Sequence, residues 1–238
     1  MKKLFIIILI LFQTQLAWAT VRSFDGTDDK VGMGSVLDVD GVDVSLCSWV
    51  KLTEDASTDA MGGKKSNDAF SSAGIMLYQS GAADVARIQV ADAVDGVESS
   101  TIAQMDDGAW HWVCGTWNNS TDTTIIYEAG VQDDTDTNTL IGATSNAVNY
   151  VVGEYGGGSG DASGLIAYHM QFQEILTAIR VNDLMWRPDL SYGAGGFWPM
   201  YGGDSPEQDL SGNNRDGTVT GAITSTDGPP IMIGDAPS

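Results

Sequence analysis

The side chains able to do chemistry in this chain are mostly carboxylates. Thirty-two Asp and Glu stand against eleven Lys and Arg, a formal charge of −21. Cleaving a glycosidic bond takes two carboxyl groups held close, ~5 Å apart in the retaining case. Glu54, Glu98, Glu128, Glu154, Glu174 and Glu207 are isolated from one another, and no Glu-x-Asp-x-Glu pattern joins them. His111 and His169 lie in strand-like apolar runs and suit structural roles better than proton transfer. There is no Gly-x-Ser-x-Gly nucleophile turn and no zinc spacing. The Gly-rich loop 153–164 carries Glu154 and Asp161, the wrong charge for cradling phosphate. The chain therefore reads as a non-enzyme. Its acidic excess disfavours nucleic acid and anionic membrane as partners. It suits a soluble exported protein, and ligation of Ca²⁺ through carboxylate oxygens.

The second reactive pair is Cys47 and Cys114, the only cysteines in the chain. Each lies in a short β-branched and aromatic run, residues 44–50 and 110–117, apolar on both faces. Such runs suit strands buried within a sheet. Equivalent positions on two matched strands predict one cross-strand disulfide. A disulfide needs an oxidising compartment, and the head of the chain has the form of an export leader. Lys2 and Lys3 precede an apolar stretch from Leu4 to Phe12, and Ala17-Trp18-Ala19 supplies a small-x-small cleavage site. Residues 1–19 read as a signal peptide, too short in its apolar part to span a bilayer. No later stretch is apolar enough to span. The expected location is secreted, extracellular or periplasmic.

These groups must be positioned by strands. Turn signals recur at Asp25-Gly26, Asp40-Gly41, Gly62-Gly63, Asp95-Gly96, Asp107-Gly108 and Asn118-Asn119, with short alternating runs between them. That is the pattern of an all-β antiparallel sandwich or jelly roll. Strands are expected at 44–51, 74–79, 85–91, 110–117, 123–128, 148–153 and 165–172. In the last, Ile166, Tyr168, Met170 and Phe172 should share one face, and Ala167, His169 and Gln171 the other. One short helix is expected. Thr177 caps Ala178 to Met185, Val181, Leu184 and Met185 dock it, and Pro188 stops it. Residues 20–227 read as one sandwich and 228–238 as a loosely ordered tail.

The landmarks in order resemble the laminin-G-like, concanavalin A-like jelly-roll superfamily. Ser23-Phe24-Asp25-Gly26-Thr27-Asp28-Asp29-Lys30-Val31 is similar to its opening strand and turn. Val44 to Lys51 resembles its Ile-Ser-x-Trp-Val-Lys strand, and Trp110 to Trp117 its Trp-His-x-Val-x-Gly-Thr-Trp strand. Ile125 to Gly130 resembles its hairpin, and Leu140-Ile141-Gly142, Gly164-Leu165-Ile166 and Leu176-Thr177 its later elements. The cysteine placement resembles that of the pentraxins. Residues 196–221, from Phe197-Trp198 to Arg215-Val219, resemble a piece this superfamily commonly places before the Phe-Asp-Gly strand. The segment therefore reads as a permuted edge, with a truncated second repeat as the alternative.

The resemblance implies a non-catalytic module that binds carbohydrate or glycoconjugate, with Ca²⁺ as a structural ion. It implies metal ligands at Asp25, Asp28 and Asp29, and a pentraxin-like loop site at Glu154 and Asp161. An Asp often follows Gly-Leu-Ile in this superfamily, and here that position is Ala167. Aspartates capping their own turns explain the same residues without an ion. Asp209, Ser211, Asn213 and Asp216 depart from EF-hand spacing and read as tight turns. Tyr155, Trp186, Trp198 and Tyr201 are the aromatics expected nearer the loops, with Tyr155, Trp186 and Tyr201 the candidates to stack on a sugar. The competing reading is an adhesion or assembly module, at a cell surface or in a virion, with a protein partner. A glycoside hydrolase is the third, and it lacks its paired carboxylates.

Overall fold

The computed structural model describes residues 20–53, 58–203 and 205–231. The expected leader, Glu54 and residues 232–238 of the expected tail lie outside the described residues. Two antiparallel sheets face each other as a jelly-roll sandwich. The first sheet runs, in spatial order, β10 (Val131–Thr137), β9 (Thr123–Glu128), β8 (His111–Asn118), β3 (Val44–Leu52), β12 (Ser163–Phe172), β1 (Val21–Asp25) and β15 (Ile223–Ser225). β13 (Ala194–Trp198) also pairs with β12. The second runs β14 (Thr218–Thr220), β2 (Lys30–Gly34), β11 (Tyr150–Val152), β4 (Asp59–Lys64), β5 (Gly74–Ser80), β6 (Val85–Ala91) and β7 (Gly96–Gln104).

The apolar alternation builds two cores. Val31, Leu46, Val50, Ile75, Ile88, Val113, Trp117, Ile166 and Trp198 fill the space between the sheets. Cys47, Trp49, Trp112, Cys114, Met170 and Phe172 lie on the outer face of the first sheet. There they are covered by the helix α1 (Ala178–Trp186), whose buried residues are Val181, Leu184 and Met185. Thr177 caps the helix. Two tryptophans fix its position, because Trp112 Nε1 donates to Val181 O at 3.0 Å and Trp49 Nε1 to Met185 O at 3.1 Å. Beside them Cys47 and Cys114 are direct cross-strand partners, joined as a disulfide with Cα atoms 4.1 Å apart.

Three expectations fail for identifiable reasons. Residues 165–172 do not keep one face: the β12–β3 register slips between Ala167 and Met170, and Tyr168 takes φ +51°. This bulge turns Ile166 into the inter-sheet core while Tyr168, Met170 and Phe172 join the helix side. Gly62-Gly63 is no turn but the middle of β4. A Cβ on Gly62 would lie 2.4 Å from the His169 ring, so the strand needs glycine for close approach. Finally, packing continues past residue 227. Gly228 and Pro229 are buried and Ile231 lies against the helix-side core.

The polar strand β10 has no alternation to betray it. It pairs antiparallel with β9, and Asp133 and Asp134 also accept the backbone N–H groups of Ile102 and Ser100 on β7, at 2.9 and 3.2 Å. These carboxylates stitch the edges of the two sheets and cover N–H groups that an open edge would expose. At the opposite margin, β14 lies beside β2 and β15 beside β1. There a fully buried ion pair joins β1 to the C-terminal segment: Arg22 reaches Glu207 Oε2 at 3.0 Å, both side chains being 1% exposed.

Candidate functional site, an acidic rim

β1 ends at Asp25 and β2 begins at Lys30, so the intervening turn sits at one end of the sandwich. Two aspartates brace it. Asp25 Oδ1 accepts from Thr27 N at 3.0 Å, and Asp29 Oδ2 accepts from Asp25 N at 2.8 Å. That self-capping still leaves Asp25, Asp28 and Asp29 each with one carboxylate oxygen within 4.8 Å of the others. Asp25 and Asp28 are exposed and Asp29 is buried. Burial, and then the charges of Asp25 and Asp28, push the Asp29 carboxyl above its ordinary range, against the hydrogen bond from Asp25. Gly221 is what lets this carboxylate fit: it has φ +70°, and a Cβ there would lie 1.8 Å from Asp29 Oδ1.

The Gly-rich loop 153–162 folds against the same turn. Gly26 N donates to Ala162 O at 3.0 Å, and Phe24 packs against Gly153 where a Cβ would collide. The loop is closed by Ala162 N to Gly153 O at 2.8 Å and Tyr155 N to Ser159 O at 2.8 Å. Lys30 joins the two pieces: its Nζ lies 2.5 Å from Glu154 Oε2. Asp161 faces Glu154 and Asp28. Burial first, then Glu154, pushes its carboxyl above the ordinary range. Sequence separates the opening turn from Glu154 and Asp161 by more than a hundred residues, yet the fold sets them on one rim. Beside them opens a cavity of about 300 Å³, lined by Gly26, Thr58, Asp68, Tyr155, Ser159, Gly160 and Asp161.

Residues 25–182 match the laminin-G-like family model described as the concanavalin A-like lectin/glucanases superfamily. The chain belongs to this superfamily. No curated protein matches it in sequence. Among solved structures it is similar to a candidate carbohydrate-binding protein from Bacteroides ovatus, at TM-score 0.69 and 15% identity, covering 91% of this chain and 62% of that one. The chain thus spans under two thirds of that relative. The SAP-like pentraxin of Limulus polyphemus is similar at TM-score 0.59 and 16% identity, covering 87% and 95%. The CBM40 of the Ruminococcus gnavus IT-sialidase, bound to α2,3-sialyllactose, is similar at TM-score 0.52 and 9% identity, covering 71% and 98%. At these identities the likeness is one of fold.

The rest of the expected constellation does not converge on this superfamily member's rim. Ala167 lies in the helix-side core opposite Trp49, four residues along β12 from Ser163, the partner of Asp25. An Asp at that position would not reach the opening turn. Tyr155 does line the rim cavity, but it is 2% exposed and packs edge-on to Tyr78 with centroids 6.3 Å apart. It is a wall, not an open platform. Trp198 is buried in the inter-sheet core, and Trp186 is half-buried at the end of α1. Tyr201 is 42% exposed but follows β13 next to Thr20. His169 is sealed between Ser48 Oγ at 3.1 Å and the Tyr150 hydroxyl at 2.7 Å. Sequence reasoning missed Thr58, Asp68 and Ser159, which carry no motif and reach the rim only through loop packing, and it gave Lys30, though inside the opening motif, no role at the rim.

Proposed function

We propose that this chain is a non-catalytic module of an exported protein that binds carbohydrate at the acidic rim with the help of Ca²⁺. The observation that carries the reading is the crowding of Asp25, Asp28 and Asp29 next to a cavity of monosaccharide scale. Three carboxylates held together repel one another, and a cation relieves that repulsion. An all-oxygen donor set fits a hard cation. Asp25, Asp28 and Asp29 would hold the ion, with Asp161 close by. A bound Ca²⁺ supplies an oxygen-seeking charge that recognises sugar hydroxyls. Thr58, Ser159, Asp68 and Asp161 offer further polar contacts.

The non-catalytic part rests on where the glutamates go. Glu98 binds Arg87, Glu128 binds His111, Glu154 binds Lys30, Glu174 binds Arg180 and Glu207 binds Arg22. Among the described residues, every glutamate thus faces a basic partner. Export is supported by the leader-like head of the chain and by the disulfide. Similarity in fold to carbohydrate-binding proteins supports the ligand class.

A glycan array probed with the purified mature chain, with Ca²⁺ and again with a chelator, tests this. Binding to a defined glycan set that chelation abolishes is the expected result. Binding unchanged by chelation would remove the metal from the reading. No glycan bound under either condition would favour the adhesion reading, with a protein partner.

A further inference from the structure

A second site lies on the C-terminal segment. An open cavity of about 560 Å³ is lined by Gln173, Glu174, Gly193, Ala194, Gly195, Ser211, Asn213 and Arg215. Its decisive feature is Arg215. The chain has five arginines. Arg22, Arg87, Arg180 and Arg187 each meet a carboxylate within 3.0 Å or less. Among the described residues, Arg215 meets none. In a chain with 32 acidic residues, that is unusual. Two aspartates flank it in sequence, and the fold turns both away. Asp209 accepts the backbone N–H groups of Phe197, Ser211 and Arg215 itself, at 3.1, 2.9 and 3.0 Å. Asp216 accepts from Asp209 N at 2.9 Å. The carboxylate of Glu174, on the cavity wall, is bound by Arg180 at 2.7 Å.

The guanidinium is held in place. Its Nη1 donates to Gly195 O, and Arg215 O accepts from Trp198 Nε1 at 2.8 Å, anchoring the residue to the core. Arg215 is half-buried and lines the cavity. Asn213 Nδ2 bonds Ala194 O and Gly195 O and fixes the neighbouring wall. Behind Gly195 lies Gln171, fully buried, with both amide atoms unpartnered. Its Oε1 sits 2.4 Å from where a Gly195 Cβ would be, so a larger residue there would have to push the Gln171 side chain aside. An unpaired guanidinium fork reads a carboxylate. Gln173 Nε2 already donates to Asp38 O and Asn213 Nδ2 to Ser211 Oγ and the wall, so the two amide oxygens are what these residues offer, as acceptors, to the hydroxyls of a polyol.

We infer that this cavity binds an acidic sugar unit, its carboxylate on Arg215 and its hydroxyls on Ser211, Asn213 and Gln173. The inference takes its ligand class from the carbohydrate reading but uses neither the rim nor a metal. The test is an NMR titration of the full mature chain with glucuronate, glucose and acetate, each repeated with chelator. Glucuronate should shift the Arg215 Nε–H and Asn213 side-chain signals, at least tenfold more tightly than glucose or acetate, and chelator should change nothing. Arg215→Gln, checked for an unchanged melting temperature, should weaken glucuronate roughly tenfold or more. Arg215→Lys keeps the charge and loses the fork, so it should fall in between. Acetate binding as well as glucuronate would reduce the site to a simple anion site and overturn the inference. So would glucuronate binding that Arg215→Gln leaves intact, or no shift at tens of millimolar. Loss of glucuronate binding on chelation would assign it to the rim instead.

Discussion

The acidic rim and the C-terminal margin spend their carboxylates in opposite ways. At the margin Glu207 is buried, and its charge is matched by Arg22 and fixed by two hydrogen-bonding nitrogens. At the rim Asp25, Asp28 and Asp29 face one another, and Lys30, next to them in sequence, is bound to Glu154. A paired buried charge holds the fold and costs much to disturb. Crowded charges of one sign repel one another and weaken the fold slightly. Margin substitutions should therefore change stability, and rim substitutions should change binding.

The largest effect should come from breaking the margin. Glu207→Ala takes the carboxylate from a buried Arg22 and should cost about 3–5 kcal/mol, read by chemical denaturation. Arg22→Met with Glu207→Leu should recover most of that loss. A single variant with wild-type stability would show that the clamp contributes nothing. Next is the disulfide, which closes a loop across a sequence separation of 67. Replacing Cys47 and Cys114 together by Ala should cost about 4 kcal/mol in the chain-entropy picture. Sugar binding at the rim should survive, because the bridge lies on the far, helix side of the first sheet.

Acid separates the two behaviours further. His169 is buried neutral, its pKa pulled down to about 3 by desolvation. The unfolded chain takes up that proton near the ordinary histidine value, so the folded state loses stability as pH falls below ~6.5, at up to about 1.4 kcal/mol per unit. Asp29 and Asp161 are shifted upward and act with the opposite sign: protonating them on the acid side favours the folded state. In His169→Gln, stability should therefore fall less steeply between pH 6 and pH 4 than in the native chain. An unchanged slope would mean His169 is not the dominant titrating group.

Much of this fold could be read from the residues. The runs around Cys47 and Cys114 name their own strands, the two cysteines meet as expected, and Thr177 and Pro188 bracket the helix. These signals are local, and the same interactions that reveal them also position them. The failures share a different cause. Gly62-Gly63 looks like a turn because glycine is ambiguous until His169 is known to press on it. The β12 bulge flips half a strand, and no periodicity reports a single inserted residue. β10 is recognisable only through acceptors it offers to β7, and the second cavity only through an arginine whose neighbours point elsewhere. The rim was half legible: its two acidic pieces carry motifs, but their meeting across Lys30 depends on loop packing.

The smallest effect sharpens the contrast most. Asp29→Asn keeps an oxygen to accept from Asp25 N and removes one of three mutually repelling charges. Without added metal the variant should be as stable as the native chain or more so, by less than ~1 kcal/mol, since charge pairs near solvent contribute little. The sign follows from the raised Asp29 carboxyl: at neutral pH the folded state pays to keep it ionised, and the amide removes that cost. With Ca²⁺ the order should reverse. If the rim holds the ion as proposed, the native chain should gain thermal stability as the ion concentration rises, as any ligand of the folded state alone gives, while Asp29→Asn should gain little. Melting curves across a Ca²⁺ series, with Mg²⁺ as control, give both numbers from one experiment. If apo Asp29→Asn melts several degrees lower, the three aspartates are turn caps that the fold depends on, and rim and margin would then be the same kind of structure.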